Sequence, residues 1–454
     1  MAPKPSIVLI LVDTLRADYL GTYGFEGATS PHIDALAGES VVFERCFSQA
    51  PWTKPAIASL FTSLQPAVHQ VLTHQGSFGA RTKKGEHTAT ADTLSAEAIT
   101  LAEGLRAGGY ATGGFVSNPW LRMKHGFGQG FDVYDAHTTG NAVSAEPLFD
   151  AALKWIASVP QGRPFFAYIH LMDVHGPYDA PEEDYEVVRD SPGLGKKTEK
   201  LTQVHIRRAP SYLRNAPWAR GVNDARVWRG RYAANVHAAD RRIGAFLEQL
   251  RGAGMLQTTL VVLSADHGEQ LHEHGMWDHG NSLFDEELHV PLILRLPKGE
   301  NGGRRIAGVV SLIDVMPTLI ALANAPAVAG MQGRDLSPAI ASNSVELEPL
   351  ASFATAVKWK PAMQSARTER YKLIKNARKG QSELYDLKSD PGETSAITSG
   401  SPALVEVDAL LAAHNSRNQE HGSLVSERAE LPKRAREQLR ALGYGEEPTA
   451  PKNP

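Results

Sequence analysis

The run Thr259–Ala265 is a stretch of β-branched and aliphatic residues that ends abruptly in Asp266, His267 and Gly268. It reads as a buried parallel strand carrying a carboxylate and an imidazole at its carboxyl end. Open α/β sheets bind ligands at such strand ends, and an Asp beside a His there suits half of a metal site. Taken alone, Asp-His-Gly fits a polar loop after a core strand at least as well. The placement recurs, however. Asp13 closes the apolar run 6–12. Thr53 opens a helix just past the short strand 41–47, with Pro55 in its first turn. Asp173 and His175 close the run 164–172, and His279 follows His267 at short range. In a parallel sheet these termini face one edge. That gathering weakens the plain loop-and-cap reading of each position.

The elements that must position these residues alternate between strand and helix. Beyond the strands already named, 111–116 and 290–296 read as buried strands. Helical spacing covers 31–37, 95–107, 148–159, 229–251 and 312–323. Such alternation predicts an α/β fold, a mainly parallel sheet sandwiched by helices. Residues 179–228 are rich in charge, Pro and Gly and read as an insertion or lid on a catalytic domain spanning 1–345. From about 346 the texture changes to short alternating runs at 351–357, 363–367, 371–374 and 383–387. Helical stretches at 403–414 and 429–442 follow, then a loose tail at 443–454. These predict a small C-terminal α+β subdomain over 346–454.

Composition narrows the function. A 42% hydrophobic, 21% charged chain with net charge −3 gives no electrostatic argument for nucleic acid or an anionic membrane surface. No stretch is long enough to span a bilayer. The single cysteine, Cys46, excludes an internal disulfide and any cysteine-built zinc cluster. A soluble intracellular enzyme and a disulfide-free exported one both fit, and the oligomeric state is open.

Several segments, in one order, resemble the sulfatase group of the alkaline phosphatase superfamily. They are Val8 to Gly24 with Asp13, Ser30 to Ala37, Tyr232 to Gly244, Thr259 to Glu269, Asp285 to Leu292, Asp314 to Leu319 and Glu383 to Glu393. The resemblance implies a metal-dependent ester hydrolase with Asp13, Asp266 and His267 as metal ligands. It also places the nucleophile at Thr53. Sulfatases carry there a Cys or Ser, within Cys/Ser-x-Pro-x-Arg, that is oxidised to formylglycine. Thr cannot be so oxidised, and the motif's Arg is Ile57 here. The second aspartate of the first sulfatase strand is Thr14, and the Asn of the Asp-Asn pair is His267.

These departures agree with one another. Fewer oxygens and one imidazole favour a borderline metal over calcium: zinc first, with manganese, or calcium itself, as alternatives. The set matches superfamily members that use a threonine nucleophile, activated by a divalent cation and placed at a helix N-terminus. The expected reaction is hydrolysis of a small-molecule phosphate ester through a phospho-Thr53 intermediate, with a phosphodiester or phosphonate monoester favoured. A sulfatase lacking formylglycine, a phosphoryl transferase and an inactive anion-binding scaffold are the alternatives. The resemblance places His175 and His279 against the substrate oxyanion. With Asp173 they could instead form a second metal site, since on an extended backbone Asp173 and His175 share a face, so one or two ions are expected, with two favoured. Lys54 and Asn118 are candidate substrate contacts, and Trp52 and Trp277 candidate pocket walls. His170 reads as a core histidine, and His272 and His274 as loop residues.

Overall fold

The computed structural model describes residues 4–75, 89–136, 144–342, 347–356 and 363–442. The expected tail at 443–454 lies outside the described residues. The apolar runs assemble into one eight-stranded sheet. Its strands are β1 (Ser6–Val12), β2 (Val41–Phe47), β3 (Ala111–Val116), β4 (Val133–Ala136), β5 (Phe165–Leu171), β6 (Thr259–Ala265), β7 (His289–Arg295) and β8 (Arg304–Ser311). Their spatial order is β8-β2-β7-β6-β1-β5-β3-β4. Ile7 to Val12 are fully buried. A strand covered on both faces reads as a continuous apolar run, without alternation.

The sheet is mainly but not wholly parallel. β1 pairs in parallel with β5 and β6, whereas β7 runs antiparallel to both β2 and β6. Because β7 is inserted between them, β2 and β6 still point the same way, and β1, β2, β5 and β6 all end on one edge. β8 had no apolar signature. It is an edge strand whose first half is exposed and whose register with β2 shifts between Ile306 and Val309.

Helices α1 (Pro31–Gly38), α2 (Thr53–Thr62), α3 (Ala145–Ser158), α4 (Ala225–Gly252) and α5 (Val315–Leu322) cover the sheet. The helix predicted over 95–107 is shorter, Leu101–Ala107. Thr100 accepts from the Glu103 N–H while the Glu103 carboxylate accepts from the Thr100 N–H, and this reciprocal cap fixes the start. Residues 179–224 contain the short helices Glu182–Val188, Gln203–Arg208 and Ser211–Arg214. They are fastened to α4 by Asp184, which accepts from Arg241 at 2.8 Å twice and lies 2.6 Å from His237 Nδ1. Arg229 adds a 2.7 Å bond to Glu199.

Past residue 346 the strands β9 (Ser352–Ala356), β10 (Met363–Arg367), β11 (Tyr371–Asn376) and β12 (Gln381–Asp386) form an antiparallel meander. Helix α6 (Pro402–His421) packs Val407 and Leu411 on Ala366, Leu373 and Leu384. The chain then turns back. Arg428–Glu430, predicted as the start of a helix, instead pairs with Thr90–Asp92, and only Lys433–Ala441 is helical. Leu431, Leu439 and Leu442 pack on Trp52, Trp120 and Met172, beside the helix that begins at Thr53. Among the described residues, no helix is long and apolar enough to cross a membrane.

Candidate active site

The ends of β1 and β6 place two carboxylates side by side under the first turn of α2. Asp13 follows β1 directly, and its N–H donates to Leu171 O at the end of β5. Asp266 follows β6, and its Oδ1 accepts from the N–H groups of His267 at 2.9 Å and Thr14 at 3.3 Å. The turn after His267 requires glycine: a Cβ on Gly268 would lie 2.0 Å from Glu286 O. His267 Nδ1 lies 2.9 Å from Gly268 O, which holds the proton on Nδ1 and leaves the lone pair on Nε2. That Nε2 is 3.5 Å from both Asp13 Oδ1 and Asp266 Oδ2.

Thr53 completes the group. Its Oγ1 lies 3.4 Å from Asp13 Oδ2 and 3.4 Å from His267 Nε2. Asn118, which ends β3's loop and caps a short 3-10 turn, donates from Nδ2 to Asp13 Oδ2 at 2.6 Å and lies 3.4 Å from Thr53 Oγ1. Asp13, Thr53, Asn118, Asp266 and His267 are all fully buried. Asn118 therefore steadies the carboxylate and the hydroxyl together, a tighter placement than the substrate contact predicted for it.

Electrostatics single out the carboxylate pair. Burial, reinforced by Asp266, pushes the Asp13 carboxyl up to about 6. Burial pushes Asp266 up to about 7, against the N–H bonds it accepts. Asp13 Oδ1 and Asp266 Oδ2 are buried and accept no hydrogen bond from the described residues. Unsatisfied acceptors on two adjacent carboxylates are what a bound cation would satisfy. Ligand atoms of Asp13, Asp266 and His267 lie within 4.8 Å of one another, close enough to share one ion. Two carboxylates, an imidazole and a hydroxyl form a donor set that fits a divalent metal.

A second group stands beside the first. His279 Nδ1 lies 3.2 Å from Glu269 Oε2 and 3.0 Å from Asp278 Oδ1, and these three could also hold an ion. Its ring is 4.6 Å from that of His267 and 5.2 Å from that of His175. His175 is fastened through Nδ1 to Gly176 O at 2.9 Å. Tyr212, from the segment 179–224, lies nearly parallel to the His175 ring at 6.1 Å and donates to Asp278 Oδ1 at 3.2 Å. That segment thus supplies a wall of the site.

Asp173 and Lys54 depart from the roles predicted for them. Asp173 does not join His175. β5 stops at Leu171 and the chain turns, with the His175 N–H donating to Met172 O, so the shared-face geometry of an extended backbone is lost. Asp173 instead pairs with Arg242 at 2.9 Å and accepts from the Ala145 N–H. Lys54, one residue on from Thr53 along a helix, points away from it. Its ammonium donates to Asp92 O and lies 5.4 Å over the Trp120 ring, and burial lowers its pKa to about 7. Trp52, the residue that caps α2, packs on Trp120, and Trp277 packs on Trp228. His272 and His274 flank the site on Trp277 and Phe284. Sequence reading passed over Glu269 and Asp278, whose only signal is closeness to His267 and His279. It also left Tyr212 inside an insertion without periodicity.

The chain matches the sulfatase family over residues 5–325, and a C-terminal family described as N-sulphoglucosamine sulphohydrolase over 272–420. It is 24% identical to an ulvan-active sulfatase of Formosa agariphila, covering 86% of this chain and 76% of that one. To an arylsulfatase of Clostridium perfringens it is 21% identical, covering 90% and 93%. Among solved structures it resembles a phosphonate monoester hydrolase of Agrobacterium radiobacter, with TM-score 0.70, 20% identity and coverage of 93% and 96%. A structure described as a complex with its substrate D-glucosamine-2-N,6-O-disulfate gives TM-score 0.74 at 18% identity, covering 92% and 98%.

Proposed function

The chain belongs to the sulfatase family of hydrolases, and on that premise we propose that it cleaves phosphate esters, preferring phosphodiesters or phosphonate monoesters, through Thr53. The observation that carries this reading is the Thr53 hydroxyl at the start of α2, within 3.4 Å of Asp13, His267 and Asn118. A threonine in that position cannot become formylglycine, so the nucleophile is the unmodified hydroxyl. Ile57 stands where the formylglycine motif has arginine.

In this reading Asp13, Asp266, His267 and Thr53 hold a divalent cation, zinc foremost. When bound there, the cation lowers the hydroxyl's pKa and offsets oxyanion charge. Thr53 Oγ attacks phosphorus, the bond to the leaving oxygen breaks, and phospho-Thr53 forms. Water then attacks the same phosphorus and restores the hydroxyl. Asn118 orients Asp13 and Thr53 throughout. Backbone N–H groups of the first turn of α2 face the transferring group. His175 and His279, their Nδ1 atoms anchored, meet the non-bridging and leaving oxygens through Nε2. Tyr212 borders the leaving-group side.

A sulfatase without formylglycine is the second reading, favoured by the sulfatase names of the curated relatives. Steady-state assay of aryl phosphodiester, phosphonate monoester, phosphate monoester and sulfate substrates separates the two. The account expects the highest kcat/KM on a phosphodiester or phosphonate monoester. A sulfate ester turned over faster than both overturns it.

A further inference from the structure

His170 is the penultimate residue of β5, inside a seven-residue strand that is otherwise Phe, Ala, Tyr, Ile and Leu. It is fully buried, and neither of its ring nitrogens has a hydrogen-bond partner. A core histidine ordinarily satisfies at least one nitrogen on a carbonyl or side chain. His125 and His69 do so here, on Trp120 O and Ser59 Oγ. His170 instead aims Nε2 at the carboxylate pair, 3.8 Å from Asp13 Oδ2 and 3.8 Å from Asp266 Oδ2. These contacts are too long for hydrogen bonds. Its distances to Asp13 and Asp266 match the separation of two ligands on one ion, since bonds of roughly 2.0–2.2 Å put neighbouring donor atoms about 3–4 Å apart; His170 stands outside the 4.8 Å set formed by Asp13, Asp266 and His267, so sharing their ion would draw its ring toward His267. His267 Nε2 stands at a similar 3.5 Å from Asp13 and from Asp266.

The first strand supplies a reason for an extra ligand. At the position of the second sulfatase aspartate, Thr14 has φ +60° and its hydroxyl donates to Asp13 O at 2.7 Å. Thr14 thus contributes its N–H to Asp266, and it brings no carboxylate to the site. We propose that His170 is a further ligand of the divalent cation held by Asp13, Asp266 and His267, filling from β5 the coordination lost at Thr14. The inference rests on the metal-site part of the proposed function and is independent of which ester is cleaved. The resulting centre has two imidazoles and two carboxylates besides Thr53, a softer set than a calcium site offers.

The test is electron spin-echo envelope modulation on the Mn2+-loaded protein, with affinity read separately by competition against a chromophoric chelator. Wild type should show two imidazole ¹⁴N couplings. His170→Gln and His267→Gln should each keep one, and His170→Gln should weaken Mn2+ and Zn2+ binding on the order of tenfold or more. The wild-type count requires no variant to fold, and circular dichroism checks both variants. A wild-type coupling that vanishes in His267→Gln but is untouched, with unchanged affinity, in His170→Gln overturns His170 as a ligand and leaves the metal centre standing. Absence of metal binding by the wild type overturns both.

Discussion

Two of the carboxylate clusters among the described residues answer the cost of placing charge in the interior in opposite ways. Where the C-terminal meander meets the catalytic unit, Asp285 sits 2.6 Å from Lys372 Nζ and 3.4 Å from Arg367, and Glu393 lies 2.8 Å from the same lysine. Lys372 is fully buried. It and Arg367 hold Asp285 well below the usual carboxylate range despite burial, while burial and Asp285 push Glu393 up. At the ends of β1 and β6, Asp13 and Asp266 have no lysine or arginine bonded to them among the described residues, and both are pushed up. The first cluster carries its cation as a side chain; the second, in the proposed reading, takes its cation from solution.

Breaking each cluster should have opposite consequences. Thr53→Ala removes the proposed nucleophile beside Asp13 and Asp266 and should lower kcat on the order of 10⁴-fold or more, with thermal stability nearly unchanged. Stopped assays and thermal melts check both. Lys372→Met strands the buried Glu393 and leaves the partly exposed Asp285 to Arg367 alone, and should lower unfolding free energy by about 3 kcal/mol in denaturant titration. Metal affinity should stay as in wild type. Asp266→Asn removes one of two like charges. It should abolish metal binding, read by calorimetry, while the metal-free protein melts no lower than metal-free wild type.

The pH dependence sharpens the contrast. In metal-free protein, Asp13 and Asp266 rise from an unfolded value of 3.8 to about 6 and about 7. The folded state then binds more protons, so their contribution to stability is full below about pH 4 and is lost as pH rises through 6 and 7. A divalent cation needs the ionised pair, so its stabilising effect should grow over that window. The gain in Tm on adding Zn2+ should be small at pH 5 and largest near pH 8. A gain independent of pH would separate the metal from these carboxylates.

Much of the site was legible because it is written at strand ends. Asp13, Asp266 and His267 end long apolar runs, and parallel neighbours bring such ends together whatever the loops do. Thr53 was legible through its place before Pro55 and through the family resemblance. Asp173 misled because two-residue spacing means a shared face only while the backbone stays extended, and here it turns at Met172. Lys54 misled for the helical counterpart of that reason: adjacent residues on a helix point about 100° apart. Asn118 and His170 depend on contacts 105 and roughly 160 residues away in sequence, and no local pattern encodes those. Strand β8 escaped because an edge strand with a half-exposed register carries no apolar period.

The central claim is that an unmodified Thr53 is the nucleophile beside that cation-seeking pair. Acid-quenching the protein during turnover of a slow aryl phosphodiester or phosphonate monoester, followed by peptide mass spectrometry, tests it directly. The account predicts a phosphoryl or phosphonyl adduct on Thr53 that forms in wild type and is absent after chelation. Undiminished turnover in Thr53→Ala, with no adduct on Thr53 in wild type, would contradict it.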